Sequence, residues 1–422
     1  MRKQEVIIIL LQNTQIDSTA KKRNGSTLLL GGDRVSLQEL QGLARTAGIS
    51  VDSILINNSD NIDPAYYIGS GSLKSVRKKI NLREIDLVIF DNELTPAQFR
   101  NLEEKLGIRV IDRTQLILDI FSGHAHTRES KLQVELARLE YLLPRLKGKG
   151  EKLSRLGGGI GTRGPGETKM EIDRRRIEKR IYRLREKLKE IDSTREVQRS
   201  SRTDPVVALV GYTNAGKSTL LNLLTESESK VADKLFATLD SRLRSMELPV
   251  GRRIILCDTV GFISRLPHQL VASFRATLEE IKEADFLLHV IDAAHPCYRK
   301  HIKVVDQVLK DMGADSKTKI MLFNKIDKVE QDRINDIRVY NPDGIFISAC
   351  TSKGIEKLTD KLSKIVKKDM ETIKIDIPYE KAHLVEQIHD LGKVKKEKYN
   401  NNTIEIEAMI PDKMARKLRP YT

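Results

Sequence analysis

Apolar residues in the first 127 positions come in short runs separated by amphipathic stretches. Val6–Leu11, Ile54–Asn57, Leu87–Phe90 and Arg109–Ile111 read as strands, and helical spacing covers Leu37–Ala47, Ser72–Ile80 and Pro96–Leu106. Strand–helix alternation with strands apolar throughout predicts a small parallel α/β subdomain over residues 1–127. Thr95-Pro96 supplies an N-cap followed by proline at the first helical position, where its missing N–H costs nothing.

The period then changes. Leu132, Leu136, Leu139, Leu143 and Leu146 recur at steps of four and three, and Ile177, Ile181, Leu184, Leu188 and Ile191 repeat the pattern. Two heptad-like stripes joined by a turn-rich piece predict an antiparallel helical hairpin over residues 128–203. Its tip, residues 147–169, holds Gly157, Gly158, Gly159, Gly161, Gly164, Pro165 and Gly166, a density that stops a helix.

From residue 204 the short apolar strands return: Val206–Val210, Ile254–Cys257, Phe286–Ile291, Ile320–Phe323 and Ile345–Ile347, with helical lengths between them. They predict a doubly wound α/β domain over 204–370. Residues 371–422 then read as strand, helix, two strands and a short helix, a small α+β domain.

Charge adds a location. The 422 residues carry 74 Lys+Arg and 59 Asp+Glu, a net +15. Residues 1–127 hold 16 basic and 15 acidic side chains (+1), 128–203 hold 22 and 12 (+10), and 204–422 hold 36 and 32 (+4). Two-thirds of the surplus therefore lies on the predicted hairpin, which points to a polyanion met by that segment. The apolar run after Met1 is too short for a signal-peptide core, and no run approaches the ~20 residues of a membrane-spanning helix. Cys257, Cys297 and Cys350 stand far apart, as in a reducing compartment, so a cytoplasmic location is expected.

Gly211-Tyr212-Thr213-Asn214-Ala215-Gly216-Lys217-Ser218, followed by Thr219, matches G-x-x-x-x-G-K-S between a strand and a helical pattern. That context marks a P-loop: backbone N–H groups close around phosphates, Lys217 reaches the β/γ oxygens, and Ser218 offers a hydroxyl to Mg²⁺. Asp258-Thr259-Val260-Gly261 follows the next strand, so Asp258 can hold the Mg²⁺ sphere and the Gly261 amide can face the γ-phosphate. Asn324-Lys325-Ile326-Asp327 ends a later strand. A buried Asp327 carboxylate would accept from guanine N1–H and N2–H₂, which adenine cannot supply. Ser348-Ala349-Cys350 ends the next strand, placing the Ala349 amide for guanine O6. All these loops fall at the carboxyl ends of strands, where open α/β sheets bind ligands. Four pieces in this order predict a GTP site with a GTP-hydrolysing function.

Between the P-loop and Asp258 lies Leu235-Phe236-Ala237-Thr238-Leu239-Asp240. Thr238 is the candidate switch threonine, binding Mg²⁺ and sensing the γ-phosphate, with Ser241 a weaker competitor; Phe236 is counted among the nucleotide contacts. Phe262 follows Gly261 where Ras-like enzymes carry a water-orienting glutamine, so slow intrinsic hydrolysis is expected. Asn214 is either a K⁺ ligand or a turn residue tolerating a left-handed backbone. Around the hairpin tip, Arg155, Arg163, Lys169, Arg174 and Arg175 are candidate RNA contacts. Cations beside a glycine-rich, aromatic-free loop suit phosphates of folded RNA rather than stacking on single strands. A solvated, salt-bridged hairpin is the alternative.

Gly161-Thr-Arg-Gly-Pro-Gly-Glu-Thr-Lys169, Ala125-His-Thr-Arg-Glu129, the Leu132–Tyr141 run, Leu235–Asp240 and Asp258–Ile263 together resemble the HflX GTPases, in order along the whole chain. The resemblance implies a GTPase, stimulated by the ribosome, that binds the large ribosomal subunit. Its hairpin tip would reach 23S rRNA near the peptidyl-transferase region, and its carboxyl-terminal domain would lean toward the stalk base. In the GTP form it would split stalled or idle ribosomes. DNA, an obligatory membrane association and oligomerisation are not expected. A large-subunit assembly factor and an RNA-remodelling protein using ATP through the amino-terminal domain are the rival readings. The family usually continues Ala-Thr-Leu-Asp with Pro-Thr-Thr-Arg; here Ser241-Arg242-Leu243-Arg244 follow.

Overall fold

The computed structural model describes residues 5–11, 33–57, 62–83, 85–146, 169–200, 202, 204–226, 235–236, 239, 242–249, 251–265, 275–368, 370–400 and 402–419. It divides into two compact units. The first comprises Met1–Asp192 with Ala232–Asp240 and Ile263–Ala276; the second comprises Ser193–Val231, Ser241–Phe262 and Thr277–Thr422.

The first unit is built on a parallel sheet of order β2-β1-β3-β4, from β1 (Glu5–Leu11), β2 (Ser50–Asn57), β3 (Leu87–Phe90) and β4 (Arg109–Asp112). The connecting helices are α1 (Asp33–Thr46), α2 (Ser70–Arg83) and α3 (Pro96–Leu106). The predicted cap at Thr95 forms a full capping box with Gln98, and Gly107 closes α3 in the left-handed conformation. A fourth helix, α4 (Arg113–His124), has no counterpart in the sequence reading. Arg113, Thr114, Leu116, Ile117, Leu118, Ile120 and Phe121 are all buried, so no one-sided stripe marks it.

The hairpin pairs α5 (Arg128–Leu146) with α6 (Lys169–Ser200). Leu132, Leu136, Leu139 and Leu143 of α5 meet Ile177, Ile181, Leu184 and Leu188 of α6 in one apolar cluster. The two arms are unequal, 19 and 32 residues, because α6 runs on past its apolar stripe through mostly polar and charged residues. Two interhelical pairs, Arg180–Glu135 and Arg185–Glu140, both at 2.7 Å, clamp the arms in register. Residues 147–168 of the tip lie outside the described residues.

The second unit carries a six-stranded sheet of order β10-β9-β8-β5-β7-β6. Its strands are β5 (Val206–Gly211), β6 (Arg242–Glu247), β7 (Arg253–Asp258), β8 (Phe286–Asp292), β9 (Lys319–Asn324) and β10 (Ile345–Phe346). All are parallel except the edge strand β6, which runs against β7. Sequence reading passed over β6 because five of its six residues are exposed. It begins at Arg242, so the departure Arg242-Leu243-Arg244 forms the start of this edge, paired with Asp258, Cys257 and Leu256. Helices α7 (Lys217–Leu224), α8 (Arg275–Glu283), α9 (Tyr298–Asp311), α10 (Gln331–Tyr340) and α11 (Ile355–Lys368) complete this part. A three-stranded antiparallel sheet, β11 (Met370–Pro378), β13 (Thr403–Pro411) and β12 (Lys393–Tyr399), packs its isoleucine face on α12 (His383–Leu391) and α13 (Asp412–Leu418). Among the described residues, no helix is long and apolar enough to cross a membrane.

One buried carboxylate ties the first unit together. Asp112, with no exposed surface, accepts hydrogen bonds from Leu94 N (3.2 Å), Gln115 N (2.8 Å), the Tyr141 hydroxyl (2.7 Å) and Arg145 Nη2 (3.2 Å). It joins the end of β4, the start of α4 and the root of α5. Asp112→Ala should cost about 3–5 kcal/mol by leaving the half-buried Arg145 guanidinium, the Tyr141 hydroxyl and two backbone N–H groups without their carboxylate, and Tyr141→Phe about 1–2 kcal/mol. Denaturant midpoints of the full chain measure both; losses below about 0.5 kcal/mol would contradict the role given to Asp112.

Candidate functional site

Strand β5 is buried at every position and ends at Gly211, delivering the P-loop to the carboxyl edge of the sheet. Asn214 and Gly216 take left-handed backbones (φ 59° and 94°), and α7 starts at Lys217. A Cβ on Gly216 would lie 2.3 Å from Asn324 Nδ2, so only glycine fits there. The Lys217 ammonium is buried and donates to Gly211 O (3.1 Å) and Tyr212 O (2.9 Å). Burial pushes its pKa down to about 8, with Asp258 opposing and Lys325 adding to the shift.

The two metal-ligand candidates within the described residues touch. Ser218 Oγ donates to Asp258 Oδ2 at 2.7 Å, and Asp258 is fully buried. Beside them the Thr213 hydroxyl is buried without a hydrogen-bond partner among the described residues. A hydroxyl, a carboxylate and an orphaned hydroxyl at the mouth of a P-loop fit a phosphate with a hard divalent cation. Thr238 lies outside the described residues.

Gly261 closes over this group. A Cβ there would stand 2.8 Å from Thr213 Cα and 3.1 Å from Lys217 Nζ. Phe262 N–H donates to Gly211 O (3.0 Å) and Phe262 O accepts from Thr213 N–H (2.8 Å), pinning this backbone to the P-loop. The Phe262 ring is buried and apolar, so it orients no water.

The base-recognition loops come together around Asn324, with three departures from expectation. Asn324 Nδ2 donates to Ala215 O (2.9 Å), while its Oδ1 accepts the Ala349 N–H (3.0 Å); that amide, expected at guanine O6, is used inside the protein. Asp327 is exposed rather than buried, because it stands on a one-turn helix outside the sheet, and it accepts from Ser348 Oγ. Lys325, left-handed at φ 65°, reaches Asn214 O (2.7 Å) and Asp292 Oδ2 (2.8 Å), bracing the P-loop. Tyr212 turns its ring away, stacked on His301 at 3.7 Å. Thr219 sits half-buried in the first turn of α7. Phe236, expected as a nucleotide contact, is instead 2% exposed and packs edge-on against Phe121 of α4 at 4.6 Å.

On the hairpin, Arg174 pairs with Glu178 at 2.8 Å and Arg175 is exposed. Lys169 opens α6, and Arg155 and Arg163 lie outside the described residues. Residues sequence reading did not single out are Arg113 and Phe121 of α4; an arginine at the head of an apolar run carries no motif.

Known proteins match the chain along most of its length. Residues 34–122 match the family described as GTP-binding GTPase N-terminal, 124–202 the GTP-binding GTPase middle region, and 206–325 the 50S ribosome-binding GTPase. The chain is 47% identical over 392 residues to the GTPase HflX of Caldanaerobacter subterraneus subsp. tengcongensis, covering 92% of this chain and 90% of that one. It belongs to the HflX family. The HflX of Escherichia coli K12 is 41% identical over 370 residues, covering 86% of this chain and 87% of that one. A GTP-binding protein from Sulfolobus solfataricus, solved in complex with GDP, is 26% identical with a TM-score of 0.43, covering 86% of this chain and 98% of that one. As an HflX-family protein the chain is a GTPase, and members of its P-loop class use GTP with Mg²⁺.

In this HflX chain the packing of Gly216 on Asn324 links the phosphate loop to the base-recognition loops. Gly216→Ala should lower GDP affinity at least tenfold in a fluorescent-nucleotide titration, because ~2.3 Å cannot hold a methyl group. Unchanged affinity would contradict that link.

Proposed function

We propose that this chain uses GTP to dock its basic hairpin on the large ribosomal subunit and separate stalled or idle ribosomes into subunits, hydrolysis permitting release. The observation that carries the reading is the concentration of +10 on residues 128–203, a GTPase-family hairpin with a glycine-rich tip, beside a near-neutral GTP domain. A match to a family described as 50S ribosome-binding supports the choice of polyanion.

Lys217 contacts the β/γ oxygens, the Gly261 amide the γ-phosphate, and Asp327 the guanine edge. Ser218, Asp258 and Thr238 would hold Mg²⁺, which supplies charge neutralisation at the phosphates. Asn214, exposed and left-handed, would add K⁺ beside them. The buried Phe262 leaves water positioning to the ribosome, so the intrinsic rate is low. Arg155, Arg163, Lys169 and Arg175 meet rRNA phosphates near the peptidyl-transferase region, and the carboxyl-terminal sheet faces the stalk base. The protein acts as a cytoplasmic monomer.

Asp327→Asn should move preference from GTP toward xanthosine triphosphate, whose 2-carbonyl accepts the amide proton; retained GTP preference would contradict the base assignment. Intact ribosomes incubated with the protein and a non-hydrolysable GTP analogue should shift in sucrose gradients toward free subunits, and less so with GDP. Intact profiles with the protein bound only to free large subunits would instead favour the assembly role.

A further inference from the structure

Helix α11 turns Leu358, Leu362 and Val366 into the core of the GTP domain, with Ile355 and Ile365 packed at its margin. Its outer face is lysine. Lys357, Lys361 and Lys364 recur at steps of four and three, and Lys353 precedes them in the turn that enters the helix. All four are exposed, as is Lys367 beside them. Residues 204–352 hold 20 basic and 20 acidic side chains, whereas 353–370 hold six lysines against three acids. The whole surplus of the GTP domain, +3, therefore lies on this one helix and its entry.

Steps of four and three make Lys357 a neighbour of Lys361, and Lys361 of Lys364. Like charges so placed work against the helix that carries them. Among the described residues no carboxylate pairs with any of these lysines. Asp360 stands four residues before Lys364, the spacing that allows a pair, and makes none. Other lysines of the same unit are used: Lys319 pairs with Asp306, Lys325 with Asp292, and Lys317 donates to Ala284 O. The repulsion along α11 has no structural return, so its counter-charge must come from outside the chain.

Lys357 to Lys364 is a row about 10 Å long at the helical rise of ~1.5 Å per residue. Ammonium groups in such a row suit successive phosphates of a nucleic-acid strand, for which lysine serves as a point charge. Among the described residues of α11 no apolar or aromatic side chain is exposed. That leaves no ring for a base to stack on and no free apolar face for a membrane interface.

We infer that the lysine face of α11 is a second polyanion-binding surface, distinct from the hairpin, that takes the phosphate backbone of folded RNA. The choice of RNA rests on the ribosomal partner proposed above. The contacts are to phosphates, so they are indifferent to base sequence and steep in salt.

The test measures anisotropy of a labelled, mixed-sequence RNA duplex with the full-length protein across a salt series. Lys357→Gln, Lys361→Gln and Lys364→Gln together alter only exposed side chains and should leave GDP affinity within about twofold. RNA affinity should fall about tenfold at low salt, and the slope of log affinity against log salt should drop by about two. The matching Lys→Arg triple variant keeps the charges and should bind RNA like the parent. Unchanged affinity and slope in the glutamine variant overturn the proposal, as does a loss shared by the arginine variant or by GDP. Loss of binding to phosphatidylserine vesicles with RNA binding intact overturns it in favour of a membrane surface. Lys169→Gln with Arg175→Gln probes the hairpin by itself. If that variant binds RNA like the parent while the α11 glutamine variant does not, the hairpin reading falls and the α11 surface stands. The reverse result refutes the α11 surface alone.

Discussion

Two segments, one at Asn324 and one at Gly261-Phe262, meet the P-loop at distances that admit no added side chain. Gly216 lies against Asn324, Gly261 against Thr213 and Lys217, and Phe262 exchanges two backbone hydrogen bonds with Gly211 and Thr213. Close-packed interiors transmit displacement instead of absorbing it. Whatever fills the space above Lys217 is therefore felt along the chain on both sides of Gly261. The burial of Lys217 and Asp258 follows from the same closeness, as does the depressed pKa of the lysine.

Charge is distributed to serve two ends. Within the hairpin, part of the arginine complement is spent on structure: Arg180 and Arg185 staple α6 to Glu135 and Glu140, and Arg174 pairs along its own helix with Glu178. Such exposed pairs are each worth under about 1 kcal/mol, yet they fix which cations remain to face a polyanion. Buried charges do something different. The Asp112 and Asp91 carboxylates sit in the first unit with several partners each, and each joins segments far apart in sequence, where loss of one partner is expensive.

Much of this was legible in the residues. The G-x-x-x-x-G-K-S run, Asp258-Thr259-Val260-Gly261 and Asn324-Lys325-Ile326-Asp327 all fall at strand ends as their motifs require, because apolar runs of five or six residues between helical lengths have few other solutions. The hairpin stripes named the residues that pack. What escaped has physical reasons. α4 is buried nearly all round and so lacks a period, while β6 is an exposed edge and so lacks an apolar signal. The assignment of Ala232–Asp240 and Ile263–Ala276 to the first unit is a tertiary fact, since Phe236 finds Phe121 and Ser264 finds Arg113 across more than a hundred residues. The Phe236 ring departs from its expected place for the same reason, whereas Asp327 is exposed because it stands on a one-turn helix and the Ala349 amide is taken by the Asn324 side chain.

The central claim is that nucleotide state governs how a basic hairpin engages the large subunit. Its most direct measure is the affinity of the protein for purified large subunits across a salt series, with a GTP analogue and with GDP. The account predicts tighter binding with the analogue and a steep loss of affinity with rising salt, as phosphate contacts release counterions. Equal affinity in the two nucleotide states, or binding indifferent to salt, would contradict it.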